Sequence, residues 1–249
     1  LDLDRPTASA TTGVGARRIV RHLAPLAERA DWTVVNLETV VGDLDDDEAL
    51  VGKRFLLRSE PFIVDALDEM GVDVVALGNN HAYDWGPTGL VETFEILEAA
   101  GIGHVGAGLS ADDAIRGRLD DVGGISVGTV SFTTVSGDYV NDQLPVGTDT
   151  VPSEVPEADA WQYELRRFGY SGGGVTIPTA DRLIGDAWRE FADRERSLEP
   201  AIAAELWEAL TDVYPELQDW VARRGHGGAA AYRADEVAAE ISRLRREGA

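Results

Sequence analysis

The sequence predicts an α/β domain, because strand and helix patterns alternate along the first half of the chain. Short apolar runs rich in β-branched residues recur through residues 16–133, and stretches with helical apolar spacing separate them. This order is typical of a layered domain in which several strands pair in parallel through right-handed crossovers. A helical insertion is expected to follow this core.

The elements of the first half follow one another in a regular order. The predicted strands cover residues 32–37, 72–77, 104–106 and 125–133. The predicted helices are 15–29, a stretch from an N-cap at Ser59 to Met70, one from Pro87 that Gly101 ends, and a short one capped by Ser110.

The pattern changes after about residue 134. Residues 137–156 predict a long loop, and 181–224 predict helices with Trp220 and Val221 among their apolar anchors. A loop at 225–228 and an amphipathic helix at 233–247 follow. The predicted domains are therefore an α/β core at 1–134, a helical insertion or lid at 135–228, and a helix at 229–249 that returns to the core.

Charge and composition exclude several classes of protein. The 249 residues carry 45 acidic and 22 basic side chains, a net charge of −23, which argues against nonspecific nucleic-acid binding. Every basic residue except Lys53 is arginine, which fits either halophilic adaptation to high salt or the codon usage of a GC-rich genome. The chain has no cysteine, which rules out disulfides and thiolate metal sites, and no apolar run long enough to cross a bilayer.

One segment, residues 77–86, concentrates polar side chains between an apolar strand and a helix. Ligands of α/β sheets bind at the carboxyl ends of strands, so Asn79, Asn80, His81 and Asp84 are candidate site residues. An amide oxygen suits a hard divalent cation, and an imidazole can ligate a metal or protonate a leaving group. A polar turn that caps the next helix would have a similar composition.

A second polar segment, Asn36 to Glu38, lies at the end of the first strand. If the two strands are parallel neighbours, Glu38 emerges at the same sheet edge as Asn80 and His81. A carboxylate that faces an amide and an imidazole fits a divalent-metal pocket. Taken alone, such a residue is more often a solvated charge at the end of a strand.

Four stretches together resemble the CapA family of capsule or poly-γ-glutamate biosynthesis proteins, which are related to calcineurin-like metallophosphatases. They are Asn36-Leu37-Glu38, Lys53 to Arg58, Asn79 to Gly86, and Ala100 to Gly108. The resemblance implies a layered α/β/β/α sandwich, here partial, with a two-metal site. The metals implied are divalent ions, with Mn, Fe, Zn and Mg not distinguished, and they would activate water.

The resemblance also implies roles for individual residues. Glu38 and Asn80 match metal ligands, and His81 matches a catalytic proton donor or charge stabiliser. The supporting or substrate-binding residues implied are Asn36, Asn79, Asp84, Lys53 and Arg58. The two basic residues would bind an anionic substrate group or, equally, pair with the acidic loop at 42–48.

The chain also departs from the family pattern. It lacks the Gly-Asp strand end of the family, so Asp2 and Asp4 are candidate ligands by proximity only, and it lacks the later His-Trp-Gly-x-Glu and Gly-His-His-x-His motifs. His226 could reach the pocket from a glycine-rich loop, whereas His22 and His104 are expected on the surface and in packing. We therefore expect an internal piece of a longer family member.

The function implied is metal-dependent hydrolysis, or transfer, at a phosphoester or amide-type bond during capsule or poly-γ-glutamate synthesis. The expected partners are an anionic polymer or another phosphoester or amide substrate, together with other capsule-synthesis proteins. The alternatives are a non-catalytic scaffold of polymer synthesis without a complete metal site and an acidic module that holds a structural cation. The expected location is the cytoplasm or a membrane-associated part of the cell envelope.

Overall fold

A three-stranded parallel sheet forms the centre of the protein. The computed structural model describes residues 13–50, 56–134, 194–213 and 220–248. Strands β1 (Val34–Asn36), β4 (Val74–Ala76) and β5 (Gly103–Val105) lie side by side in the order β1-β4-β5. Val75 is opposite both Val35 and His104. The three predicted strands of this sheet and their parallel pairing are therefore confirmed.

Short two-residue strands extend the fold around this sheet. Strands β2 (Val40–Val41) and β3 (Arg58–Ser59) pair in parallel, and β6 (Ala107–Gly108) pairs antiparallel with β9 (Gly228–Ala229). The architecture is thus a mixed α/β arrangement of small sheets and helices, and the layered α/β/β/α sandwich remains a prediction.

Helix α4 (Gly86–Ala99) covers the sheet and confirms the helix expected after Pro87. It buries Leu90 and Leu97 in the main core, and the Thr93 hydroxyl accepts the Val41 backbone N–H at 2.9 Å. Gly101 ends the helix with φ +73°, a conformation that glycine adopts without steric cost. Helix α4 therefore connects the sheet to the β2–β3 pair.

Two predicted helices begin or end differently in the structure. The stretch at 15–29 is divided into α1 (Gly13–Val20) and α2 (Ala24–Ala27), because Pro25 has no N–H to continue the hydrogen-bond ladder. The predicted N-cap Ser59 lies in β3, and a 3₁₀ turn (Pro61–Ile63) precedes α3 (Val64–Glu69). The Ser110 cap of α5 (Ala111–Ala114) is confirmed, since its hydroxyl accepts the Asp113 N–H.

A β-hairpin follows α5, and only half of it was predicted. Strand β8 (Ile125–Thr129) pairs antiparallel with β7 (Arg118–Val122), whose sequence is too rich in Asp to read as a strand. Gly123 and Gly124 both have positive φ, as a tight two-residue hairpin turn requires. The predicted strand at 125–133 is therefore shorter, and its partner was missed.

The chain after residue 193 contributes both helices and core residues. Helix α6 (Pro200–Val213) lies within the stretch predicted to be helical, but residues 220–223 are extended, with Val221 in a bridge to Ala229. Trp220 and Val221 belong to the main hydrophobic cluster with Leu77. Tertiary packing thus overrides the helical pattern here.

A last helix completes the described part of the fold. Helix α7 (Ala234–Glu247) confirms the predicted amphipathic helix at 233–247. In the described ranges, no helix combines the length and the apolar character needed to cross a membrane. Most of the predicted insertion at 135–228 lies outside the described residues, and the division into 1–134, 135–228 and 229–249 stays a prediction.

Candidate functional site

The carboxyl ends of β1 and β4 bring the two predicted polar segments together. The Asn79 side-chain amide donates to the Asn36 side-chain oxygen at 3.0 Å and to the Leu37 carbonyl at 3.1 Å. Asn36 in turn donates to a Glu38 carboxylate oxygen at 3.1 Å. Because the strands are parallel neighbours, residues 43 positions apart share one edge of the sheet. Asn36, Glu38 and Asn79 therefore form one hydrogen-bonded chain.

A buried histidine–carboxylate pair lies in the turn after β4. His81 Nδ1 is 2.7 Å from Asp84 Oδ2, and the two side chains are 10% and 0% exposed. The same carboxylate oxygen accepts the Leu57 backbone N–H at 2.7 Å. An ionised carboxylate only accepts hydrogen bonds, so Nδ1 carries the proton and Nε2 is the ring nitrogen left for other chemistry.

The backbone of this turn is fixed by one of its own side chains and by a backbone hydrogen bond from Leu50. Asn79 Oδ1 accepts the His81 backbone N–H at 3.0 Å, and the Asp84 carbonyl accepts the Leu50 N–H at 2.7 Å. Asn80 is half-buried between Asn79 and His81. The arrangement orients the imidazole before any ligand binds, which is the property required of a group that transfers a proton.

The structure describes only one of the two basic candidates. Lys53 lies outside the described residues, whereas Arg58 lies in β3 with its side chain 33% exposed. Its guanidinium is 3.8 Å from the Asp46 carboxylate and 5.5 Å from the centroid of the Trp85 ring. Asp46 belongs to the acidic loop, so Arg58 forms the expected salt bridge, and the Trp85 contact holds it beside the polar segment at 77–86. A role in substrate binding stays a prediction.

The described residues do not complete a metal centre. Glu38 and Asn80 carry oxygen atoms of the kind that hard divalent cations prefer. However, within the described ranges no group of three His, Cys, Asp or Glu side chains is placed to hold a metal ion. Asp2 and Asp4 lie outside these ranges. The two-metal site therefore stays a prediction.

An aromatic contact that the sequence did not predict joins the polar segment at 77–86 to the C-terminal part of the chain. The His226 ring lies 5.1 Å from the Tyr83 ring and 6.4 Å from the Trp207 ring, centroid to centroid. The glycine-rich loop at 225–228 suggested only that His226 could approach the pocket. No sequence signal links Tyr83 to Trp207, because the contact depends on how α6 packs.

The other two histidines, His22 and His104, lie on the surface and in packing, as expected. His22 is exposed and its Nε2 accepts from Arg21 Nε at 3.0 Å. His104 stacks on Phe94 with ring centroids 4.1 Å apart. Burial, and secondarily the charge of Arg118, lowers the pKa of His104 below 6.5. These two histidines are not part of the candidate site.

Comparison with known proteins places the chain in a family. The model of the family described as "Bacterial capsule synthesis protein PGA_cap" matches residues 3–248. The capsule biosynthesis protein CapA of Bacillus anthracis is 31% identical over 121 residues, which cover 48% of this chain and 29% of that protein. The PGA biosynthesis protein CapA of Bacillus subtilis is 29% identical over 136 residues, which cover 54% of this chain and 36% of the relative.

A third relative comes from another group of bacteria. A probable polyglutamine synthesis accessory protein of Mycobacterium tuberculosis is 40% identical over 93 residues, which cover 37% of this chain and 24% of that protein. The matched part spans about a third or less of each of these relatives. Since the family model covers nearly the whole chain, the protein belongs to the PGA_cap family of bacterial capsule synthesis proteins.

Proposed function

We propose that this protein acts in the synthesis of a capsule or of a polyglutamate-type anionic polymer, and that the sheet edge around His81 is its hydrolytic or group-transfer centre. Family membership and the names of the relatives support the first part. The buried His81–Asp84 pair carries the second part, because it fixes which ring nitrogen can exchange a proton. Other capsule-synthesis proteins are the proposed partners.

The proton transfer assigned to His81 follows from its surroundings. In the protonated state, Nε2–H donates to the oxygen or nitrogen that leaves when a phosphoester or amide bond breaks. Asp84 accepts Nδ1–H throughout and stabilises the positive charge of the imidazolium. Asn79 holds the backbone of His81, so the ring keeps its position through the reaction.

A divalent metal ion is the proposed cofactor, and its chemistry would be to polarise the substrate and lower the pKa of a bound water. Glu38 and Asn80 are the described residues proposed to contribute oxygen atoms to it. Further donors would have to lie outside the described ranges, with Asp2 and Asp4 as candidates. Metal content, measured by elemental analysis of the purified protein, tests this requirement directly. Glu38→Gln should lower that content, and the exposed Glu28→Gln should not.

Activity is tested by replacing His81 and a matched histidine. His81→Gln removes the proton donor, so hydrolysis of bis-p-nitrophenyl phosphate or γ-glutamyl-p-nitroanilide should fall by about 10²–10⁴-fold. His22→Gln changes an exposed histidine and should leave the rate unchanged. Equal rates in the two variants, with both proteins folded, would contradict a catalytic role for His81.

The second candidate function is a non-catalytic scaffold of polymer synthesis. It is favoured by the lack, within the described ranges, of a group of three side chains suited to a metal ion. Polymer yield discriminates the two functions in a capsule-forming bacterium whose own copy is replaced. A scaffold keeps the yield with His81→Gln, whereas an enzyme loses it while the protein level stays constant.

A further inference from the structure

A cavity of about 540 Å³ lies between the start of α5, the start of α6, the turn at 223–225 and helix α7. None of the residues that line it belongs to the polar segment at 77–86. Its wall has more arginine than the composition of the chain predicts, with five guanidinium groups and four carboxylates, whereas the whole chain has 22 basic and 45 acidic residues. The arginines are Arg223, Arg224, Arg233, Arg243 and Arg246.

Most of these charges are paired, but two guanidinium groups have no charged partner among the described residues. Arg243 donates to Glu240 at 2.9 Å, and Arg233 lies 3.5 Å from Glu236. Arg224 donates to the Leu198 carbonyl and forms no ion pair with any described residue. Arg246 likewise has no ion-pair partner in the described part of the chain. The wall therefore offers two cationic groups to an anion.

A buried carboxylate on the same wall offers the opposite charge. Glu195 is 2% exposed, and its Oε1 lies 3.5 Å from Arg233 and 3.9 Å from Arg223. Its Oε2 is buried and has no hydrogen-bond partner among the described residues. A buried acceptor without a donor is costly, so such an atom indicates a missing water or ligand. A ligand that also carries an N–H donor would satisfy this oxygen.

We propose that this cavity binds a free α-amino acid, with its carboxylate at Arg224 and Arg246 and its ammonium group at Glu195 Oε2. A wall with charges of both signs selects a zwitterion. The Glu195 carboxylate would repel inorganic phosphate, and the arginines would repel a simple amine. The volume lies within the range of small-molecule sites, about 300–1,000 Å³, and exceeds what an amino acid needs. This proposal does not depend on the hydrolytic function proposed above.

Binding is measured on the full chain with the protein-forming L-amino acids added singly, first by thermal shift and then by isothermal titration calorimetry. At least one amino acid should raise Tm and bind with a Kd below about 1 mM. Acetate, methylamine and inorganic phosphate, which each carry one sign of charge, should bind about tenfold or more weakly. If no amino acid binds at up to about 10 mM, or if acetate or phosphate binds as tightly, the proposal is wrong.

Matched variants on one helix locate the site. Arg246→Gln should weaken amino-acid binding about tenfold to a hundredfold, because it removes a charged hydrogen-bond donor. Arg245→Gln, in the same last turn of α7 but lining a different cavity, should leave the affinity unchanged. Arg224→Gln should repeat the loss seen with Arg246→Gln. Equal affinities in the Arg245 and Arg246 variants would overturn the proposed location.

Discussion

Replacing Asp84 by alanine should destabilise the protein strongly, because this fully buried carboxylate accepts two hydrogen bonds at one oxygen. The donors are His81 Nδ1 and the Leu57 backbone N–H, both at 2.7 Å. A hydrogen bond to a charged group contributes about 1.5–3 kcal/mol, so Asp84→Ala should lower the free energy of unfolding by about 3–6 kcal/mol. Asp84→Asn keeps the shape and one oxygen acceptor but no charge, and should cost about 1–3 kcal/mol.

Urea unfolding followed by circular dichroism measures these differences. The exposed Asp47→Asn variant is the matched control and should stay within about 0.5 kcal/mol of the wild type. Nitrogen NMR of the imidazole adds a second readout: His81 should carry its proton on Nδ1 in the wild type and lose this preference in Asp84→Asn. A cost below about 1 kcal/mol for Asp84→Ala would refute the assigned hydrogen bonds.

Other positions give sharp tests by the same kind of measurement. Gly106→Ala, at φ +91° with its Cβ 2.6 Å from the Gly78 backbone nitrogen, should lower the free energy of unfolding by about 2–4 kcal/mol. The pKa of His104 is lower in the folded protein than its ordinary value of 6.5, so the unfolded chain binds the proton first as pH falls. The Tm of the wild type should therefore drop between about pH 7 and 5, and the Tm of His104→Phe should drop less. The hydrogen bond from Arg243 lowers the pKa of Glu240 below 4.5, so Glu240→Gln should be less stable than the wild type in urea at neutral pH, and this deficit should shrink as pH falls below 4.5.

The middle strand of the central sheet was predictable because burial dictates its sequence. Strand β4 is a short, largely buried run of apolar residues between turn signals, and such a run has few alternatives in an α/β chain. Strand β7 was missed because its pairing with β8, rather than its own residues, makes it a strand. The extended course of Trp220 and Val221 was missed for a related reason: their burial in the main cluster outweighs a helical pattern.

The candidate site was predictable only in part. Parallel strands carry their last residues to one edge, so the meeting of the two polar segments followed from the order of the elements, although the hydrogen bond between Asn36 and Asn79 was not predicted. The Leu57 backbone N–H donates to Asp84 across 27 positions of the sequence. Every residue except proline carries such an N–H group, so no sequence pattern marks this contact. The packing of His226 on Tyr83 joins two segments that lie far apart in the sequence, and no motif links them. Contacts of this kind become visible only in the folded chain.

The His81–Asp84 pair bears on the choice between the enzyme and the scaffold. Burying a polar pair has a desolvation cost, and apolar side chains of similar volume often serve stability as well or better. A scaffold would use Asp84 to accept the Leu57 backbone N–H, but it would gain little from an imidazole held in one tautomer. A proton-transferring centre needs that arrangement, because only a fixed ring presents Nε2 at a constant position. The pair consequently supports the proposal of chemistry at this edge of the sheet, whether or not a metal ion completes it.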